Sequence, residues 1–172
     1  MQMETDRLVL RRITGDDRPA LAAILQDSVT MSAYEGPFAD AEVDAWLARM
    51  LTRYQRDGFG MWAVTLRDTC AMIGQCGITL QDQAGTKVHE VGYLFNREYW
   101  HQGYATEAAA ASRDFAFAEL GVHTVFAHVR DTNLASMNVA IRIGMTVRSR
   151  FAKHYRGVEM PHLAFGVDRP AT

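Results

Sequence analysis

Cysteine is nearly absent from this chain of 172 residues: Cys70 and Cys76 are the only two, with five residues between them in one apolar stretch. They lack Cys-x-x-Cys spacing and have no histidine cluster beside them, so neither a zinc site nor a disulfide framework is expected, and no metal is called for. Reduced, partly buried thiols suit a cytoplasmic protein. Long apolar runs are missing too, none approaching the ~18 residues of a membrane span. The segment Met1–Arg12 is charged and alternating rather than a basic patch with an apolar core, which argues against export. Positive charge is not in excess: 18 basic residues face 20 acidic ones for a net charge of −2, unlike a protein built to neutralise nucleic-acid phosphates. Proline is sparse and scattered (Pro19, Pro37, Pro161, Pro170), and no repeat or low-complexity linker interrupts the chain, so residues 1–172 are expected to form one domain.

What is present suits a packed core, with 48% hydrophobic and 22% charged residues. Arg7–Ile13 alternates as a strand does. Leu21, Ile24, Leu25 and Val29 then recur on one helical face. A second helix is capped by Asp40 and carries Val43, Trp46, Leu47, Met50, Leu51 and Tyr54 at helical spacing; Gly58 and Gly60 stop it. Three strands follow, near Met61–Leu66, Met72–Leu80 and Val88–Phe95, separated by turn-prone Arg67-Asp68-Thr69 and Gln81–Gly85. An alanine-rich helix over Gly103–Leu120, a strand at Val122–Val129, and a helix at Leu134–Ile143 ending on Gly144 come next. Strands near Val147–His154 and Met160–Val167 close the chain around Arg156-Gly157. The order β-α-α-β-β-β-α-β-α-β-β predicts an α+β fold: a mixed, mostly antiparallel sheet of about seven strands with helices on both faces.

The stretch Tyr99-Trp100-His101-Gln102-Gly103-Tyr104-Ala105-Thr106-Glu107-Ala108 lies between a strand and a helix. Gly103 and Ala105 have little or no side chain, so backbone can approach a ligand there. The first amides of the helix lack intrahelical partners and carry partial positive charge, a setting for a diphosphate. A plain strand-to-helix turn fits the spacing equally well.

Trp100–Ala108, preceded by Glu90-Val91-Gly92-Tyr93 and followed by Asn133-Leu134-Ala135-Ser136, resembles the GNAT N-acetyltransferase superfamily. Within it the chain is most similar to the RimJ/RimL-like branch, whose namesakes acetylate the N-termini of ribosomal proteins. The opening Glu4–Arg11 and the closing strand pair resemble that branch as well, so the likeness spans roughly residues 3–168. The resemblance implies acetyl-coenzyme A as donor, with pyrophosphate contacts from His101, Gln102, Gly103, Tyr104, Ala105 and Thr106. Trp100 stands where Arg or Gln is usual. Tyr93, Leu94 and Phe95 would lie on the strand that splays and pairs with pantetheine.

An amine must be neutral to attack a thioester, and a leaving thiolate gains from a proton. Glu90, a lone charge in an apolar strand, is either an exposed or ion-paired position or, as the resemblance implies, the general base. Asn133 and Ser136 open a helix, where capping alone accounts for them. By resemblance Asn133 contacts the cofactor; the position where many members carry an acid tyrosine is Ala140 here, so either Ser136, as the branch implies, or water protonates the thiolate. Asn138 and Arg142 on the same helix are further cofactor candidates. Met31, Tyr34, Glu35 and Phe38 are candidates for lining an acceptor pocket. An α-amine, with pKa ~7.8, is on the order of 10% neutral at pH 7 and asks less of a base than lysine does. The expectation is therefore an N-acetyltransferase acting on a peptide N-terminus or a small amine, as a monomer or a homodimer. A coenzyme A sensor without turnover, or an interaction domain without cofactor, are the other classes; the retained set Glu90, Asn133 and Ser136 counts against the sensor, and failure to bind any coenzyme A species would point to the interaction domain.

Overall fold

The computed structural model describes residues 2–171, and eight strands within it form one sheet. The elements run β1 (Gln2–Glu4), β2 (Leu8–Arg12), α1 (Arg18–Leu25), α2 (Asp40–Arg56), β3 (Met61–Leu66), β4 (Met72–Gln83) and β5 (Thr86–Phe95). Then come α3 (Tyr104–Ala118), β6 (Thr124–Arg130), α4 (Leu134–Arg142), β7 (Thr146–Tyr155) and β8 (Val158–Asp168). Strand order is β1-β2-β3-β4-β5-β6-β8-β7, antiparallel throughout except between β5 and β6. The fold is the α+β arrangement expected, with one strand more than seven. Gln2–Glu4 is too short to show periodicity and is held by pairing with Val9–Arg11.

Local chemistry sets the boundaries. Asp40 is not the cap of α2 but its first residue; the cap is Ala39, whose N–H donates to Glu42 Oε2 at 2.8 Å. Val29 lies beyond the end of α1 and is 48% exposed, and Leu51 is 38% exposed, so neither joins the buried face. β4 and β5 extend to a two-residue turn, Ala84-Gly85, with φ +51° and +86° at its two positions, the left-handed pair that a tight hairpin turn requires. Gly144 ends α4 with φ +85°.

Helices cover both faces. Consecutive strand residues point to opposite faces. Accordingly Gln75 Oε1 accepts from Trp46 of α2 at 3.0 Å, while Cys76 Sγ meets Ser112 of α3 at 3.4 Å. Trp62, 1% exposed, meets Phe115 edge-on at 5.0 Å. Burial of a side chain that large contributes about 3 kcal/mol or more and fixes α3 on the sheet. The start of α3 is thereby held next to the end of β5.

The parallel pairing of β5 with β6 consists of a single register pair, Glu90 with Phe126. Beyond it, Val91–Phe95 pair only with β4 and Ala127–Arg130 only with β8. The gap is bridged by Tyr93, whose hydroxyl donates to the Ser136 carbonyl of α4 at 2.7 Å.

Candidate active site

Two cavities open on either side of this splay. One, of about 550 Å³, is bounded by the 99–106 loop, the end of β5 and α4. The other, of about 320 Å³, is bounded by α2, β5, β6 and β7 and contains Glu90. They share Ala33, Tyr34, Tyr93, Leu94, Asn133 and Ser136 as a common wall.

The loop that bounds the larger cavity has a distinctive backbone. His101 and Gly103 are both left-handed (φ +62° and +82°), which folds the loop tightly into the first turn of α3. Gly103 suits that conformation because it has no Cβ. The loop is tied down from the other end of the chain. The Arg7 guanidinium lies 4.4 Å over the Tyr104 ring, donates to the Gln102 carbonyl at 2.9 Å, and pairs with Glu107 at 2.7 Å. Thr5 adds a 2.6 Å hydrogen bond to Glu107. Burial pushes the Glu107 carboxyl up, but the bonds from Thr5 and Arg7 outweigh it and hold the group below the ordinary carboxylate range. Trp100, at the atypical loop position, donates its indole N–H to the Phe95 carbonyl at 2.9 Å and ties the loop to β5. Leu94, Phe95, Ala105 and Val139 give this cavity apolar walls, and Arg142 gives it a cation.

Glu90 in the smaller cavity has a side chain 13% exposed. Burial raises its pKa, offset in part by Lys153 of β7 (Nζ at 4.0 Å), by the His128 backbone N–H of β6 (3.3 Å) and by Arg53 of α2. The His128 ring is fully buried and pulled down to about 3, by burial first and then by Lys153 and His162, so it stays neutral. Its Nδ1 lies 3.6 Å from Glu90 Oε2, but a neutral ring makes no ion pair there. With Nε2–H donating to Gln83 Oε1 at 2.8 Å, Nδ1 carries a lone pair and has no partner. At 3.6 Å the Glu90 carboxyl is too far to be that partner.

Most of the residues expected at the donor site come together. Tyr93, Leu94, Phe95, His101, Gly103, Tyr104, Ala105, Thr106, Asn133, Asn138 and Arg142 line the larger cavity; Gln102 does not, since its carbonyl is turned to Arg7. Asn133 Oδ1 caps α4 by accepting from Ser136 N–H at 3.1 Å. Of the four acceptor candidates Tyr34 alone lines a cavity. Met31 and Phe38 are buried in the core, and Glu35 pairs with Arg130 at 2.5 Å. Phe38 turns inward because its ring packs edge-on against Trp46 of α2 at 6.0 Å and its N–H is held by the Leu25 carbonyl at 2.8 Å. Arg7, Glu107, Arg53, His128 and Lys153 were not foreseen. They lie on five different elements or loops, and only alternation along β6 and β7 hints that His128 and Lys153 face inward.

The GNAT acetyltransferase domain family matches residues 7–146, and the chain belongs to this family of acyltransferases. It is 30% identical over 154 residues to the N-acetyltransferase YnaD of Bacillus subtilis, covering 89% of this chain and 87% of that one. Among solved structures, an acetyltransferase from Agrobacterium tumefaciens aligns over 98% of this chain and 95% of its own, with 28% identity and a TM-score of 0.83. RimL, a ribosomal α-N-protein acetyltransferase solved in complex with coenzyme A, shares the fold at a TM-score of 0.80 and 16% identity, over 98% of both chains.

Proposed function

We propose that this chain, as one domain, binds acetyl-coenzyme A in the larger cavity and transfers the acetyl group to a primary amine seated in the smaller one. The acceptor is a protein N-terminal α-amine or a small-molecule amine, and attack is direct, with both molecules bound. The observation that carries this reading is the shared wall at the splay: a cavity bounded by the 99–106 loop and a cavity holding a buried carboxylate meet at Tyr93, Leu94, Asn133 and Ser136.

The residues present fit the donor. Unpartnered amides at the start of α3 and Arg142 suit phosphates, the open edge of Val91–Phe95 offers backbone groups to an amide-bearing arm, and the walls between are apolar. When bound, the donor supplies a thioester carbonyl open to attack. Glu90 takes the proton from the amine as the C–N bond forms, directly or through one water, and its burial favours the protonated carboxyl. Backbone N–H groups at the open edge of β5 polarise the carbonyl. As the C–S bond breaks, Ser136 on the shared wall offers a proton to the thiolate.

No helix among the described residues is long and apolar enough to cross a membrane, which fits a cytoplasmic setting, and nucleic acid is not an expected partner. The direct test is the thermal midpoint with and without acetyl-coenzyme A. Ligand at a hundred times its Kd adds about 2.7 kcal/mol, a rise of roughly 5–10 °C for a chain of this size. Adenosine or acetate alone should give none. Absence of the rise at millimolar donor removes the proposal.

A further inference from the structure

The cavity around Glu90 is strongly basic. Arg49, Arg53, Arg130 and Lys153 line it against one carboxylate. Arg130 is taken up by Glu35. Arg49 and Arg53 stand one turn apart on α2; Arg49 lies over the Trp46 ring at 5.4 Å, Arg53 reaches Met50 Sδ at 4.0 Å, and neither forms an ion pair among the described residues. Asp57, the acid at that end of the helix, is held by Arg56 at 2.6 Å. Lys153 approaches only Glu90, at 4.0 Å. Like charges at this helical spacing destabilise a helix. Arg53 is half-buried with no carboxylate in hydrogen-bond reach among the described residues, and it shares the single acid Glu90 with Lys153, so cations outnumber the acid there. Burial lowers the pKa of Arg53, Arg56 and Arg49 add to the effect, and Asp57 and Glu90 oppose it.

We propose that the acceptor is a small amine carrying its own anionic group, a carboxylate or a phosphate, close to the nitrogen. Glu90 receives the amine, and Arg53 with Lys153 receives the anion. This rests on the acetyl-transfer reading above and narrows it. The cations repel a polyamine that Glu90 alone would attract, and a neutral amine leaves them unmatched. A zwitterion satisfies both signs at once, and a cavity of about 320 Å³ has the volume of a small-molecule site.

The test uses matched amines with the full chain and acetyl-coenzyme A, read by thiol release: alanine against alaninamide for the carboxylate, O-phosphoethanolamine against ethanolamine for the phosphate, and spermidine as the polycation. The amide's amine is the more often neutral of its pair, so intrinsic reactivity favours the amide and a preference for the acid must come from the protein. The anionic member of at least one pair should be favoured roughly 10- to 100-fold in kcat/KM. Arg53→Gln should erase that preference chiefly through KM, whereas Arg53→Lys, which keeps the charge, should retain most of it.

A second arm needs no turnover. Calorimetry of the acetylated products, N-acetylalanine against N-acetylalaninamide and N-acetyl-O-phosphoethanolamine against N-acetylethanolamine, with and without coenzyme A, should show the anionic member of at least one pair binding tighter, and Arg53→Gln should level that pair. Equal or reversed preference in either arm, or a preference that survives Arg53→Gln, overturns the inference. So does a short peptide with an apolar N-terminal sequence that outperforms alanine. Failure of the broader reading looks different: no thermal shift with acetyl-coenzyme A and no thiol release from any amine.

Discussion

The two cavities that meet at the splay of β5 from β6 are made of different material. The larger is a backbone site: two left-handed residues, the free amides of a helix start and an unpaired strand edge define it, and side chains chiefly hold that backbone in place. The smaller is a side-chain site, defined by Glu90, His128, Arg53 and Lys153 brought in from four elements. A site made of backbone tolerates substitution wherever the local conformation survives, whereas a site made of side chains fails at a single atom. If the contrast is right, substitutions in one cavity should leave the other's observable unchanged.

Glu90→Gln should give the largest effect. Loss of general-base help lowers kcat by ~10²–10⁴-fold, while the thermal shift given by acetyl-coenzyme A stays as in the parent. The deficit should narrow as pH rises toward the pKa of the acceptor amine, because a neutral amine no longer needs the base. Stability moves the other way. Burial raises the Glu90 pKa against the opposing pull of Lys153, the His128 N–H and Arg53, with the Tyr34 phenol also close by. Its contribution is therefore full below the ordinary value of about 4.3 and is lost as pH rises through the folded-state value. The glutamine variant should be at least as stable as the parent at pH 7, as melting curves will show. A loss of donor binding equal to the loss of rate would break the separation of the two cavities.

Gly103→Val tests the backbone side. A residue with a Cβ at φ +82° is strained by about 1–2 kcal/mol, and this Cβ would come 3.4 Å from Arg7 Nη2. Donor affinity should fall roughly 10-fold, with kcat at saturating donor little changed. Unchanged affinity by calorimetry would mean that the loop is not the donor site.

Arg7→Met should act in the same sense but more weakly. Arg7 is 47% exposed, so its pair with Glu107 is worth only about 1 kcal/mol, and donor affinity should drop some 3-fold as the loop loosens. The sign with pH is set by Glu107, whose pKa is lowered in the fold. That stability is present above the unfolded carboxylate pKa of about 4.3 and disappears as pH falls through the lowered value. The difference in melting temperature between parent and variant should therefore be full at pH 7 and close on acidification. A constant difference would assign the effect to the Tyr104 stacking instead.

The same contrast explains what could be read in advance. The candidate donor side was legible as a loop because its determinants are contiguous: Trp100–Ala108 carries the loop and the helix start, and Gly103 falls at the left-handed position. Strand and helix order followed from periodicity, apart from Gln2–Glu4, which is too short to have any. The acceptor side was legible only at Glu90. Arg53, His128 and Lys153 become neighbours through the antiparallel β6-β8-β7 order and the placement of α2, and nothing local in the sequence reports that. Met31 and Phe38 show the converse: apolar residues in a connection between helices pack inward as readily as they line a pocket.

Ser136 lies on the wall common to both cavities, and its substitution should give the smallest effect of the series. An alkyl thiol has a pKa near 8.5, so a thiolate departs at neutral pH with little need of a proton, whereas the attacking amine is mostly protonated and cannot react until it loses one. Acid help should therefore matter less than base help, and Ser136→Ala should lower kcat by less than about 10-fold, with donor affinity held because Asn133 caps α4 through the Ser136 backbone N–H rather than its hydroxyl. Tyr93→Phe is the companion. It deletes the hydroxyl bonded to the Ser136 carbonyl and within reach of the Ala140 backbone N–H, on the turn of α4 where a tyrosine might otherwise have stood. Burial raises the pKa of that phenol well above the ordinary value, and a proton held so firmly suits a strut between β5 and α4 better than an acid. Tyr93→Phe should therefore loosen donor binding more than it slows turnover. If instead Ser136→Ala costs a hundredfold in kcat while Tyr93→Phe costs nothing, proton delivery to the thiolate limits the rate, and the shared wall belongs to the chemistry as fully as Glu90 does.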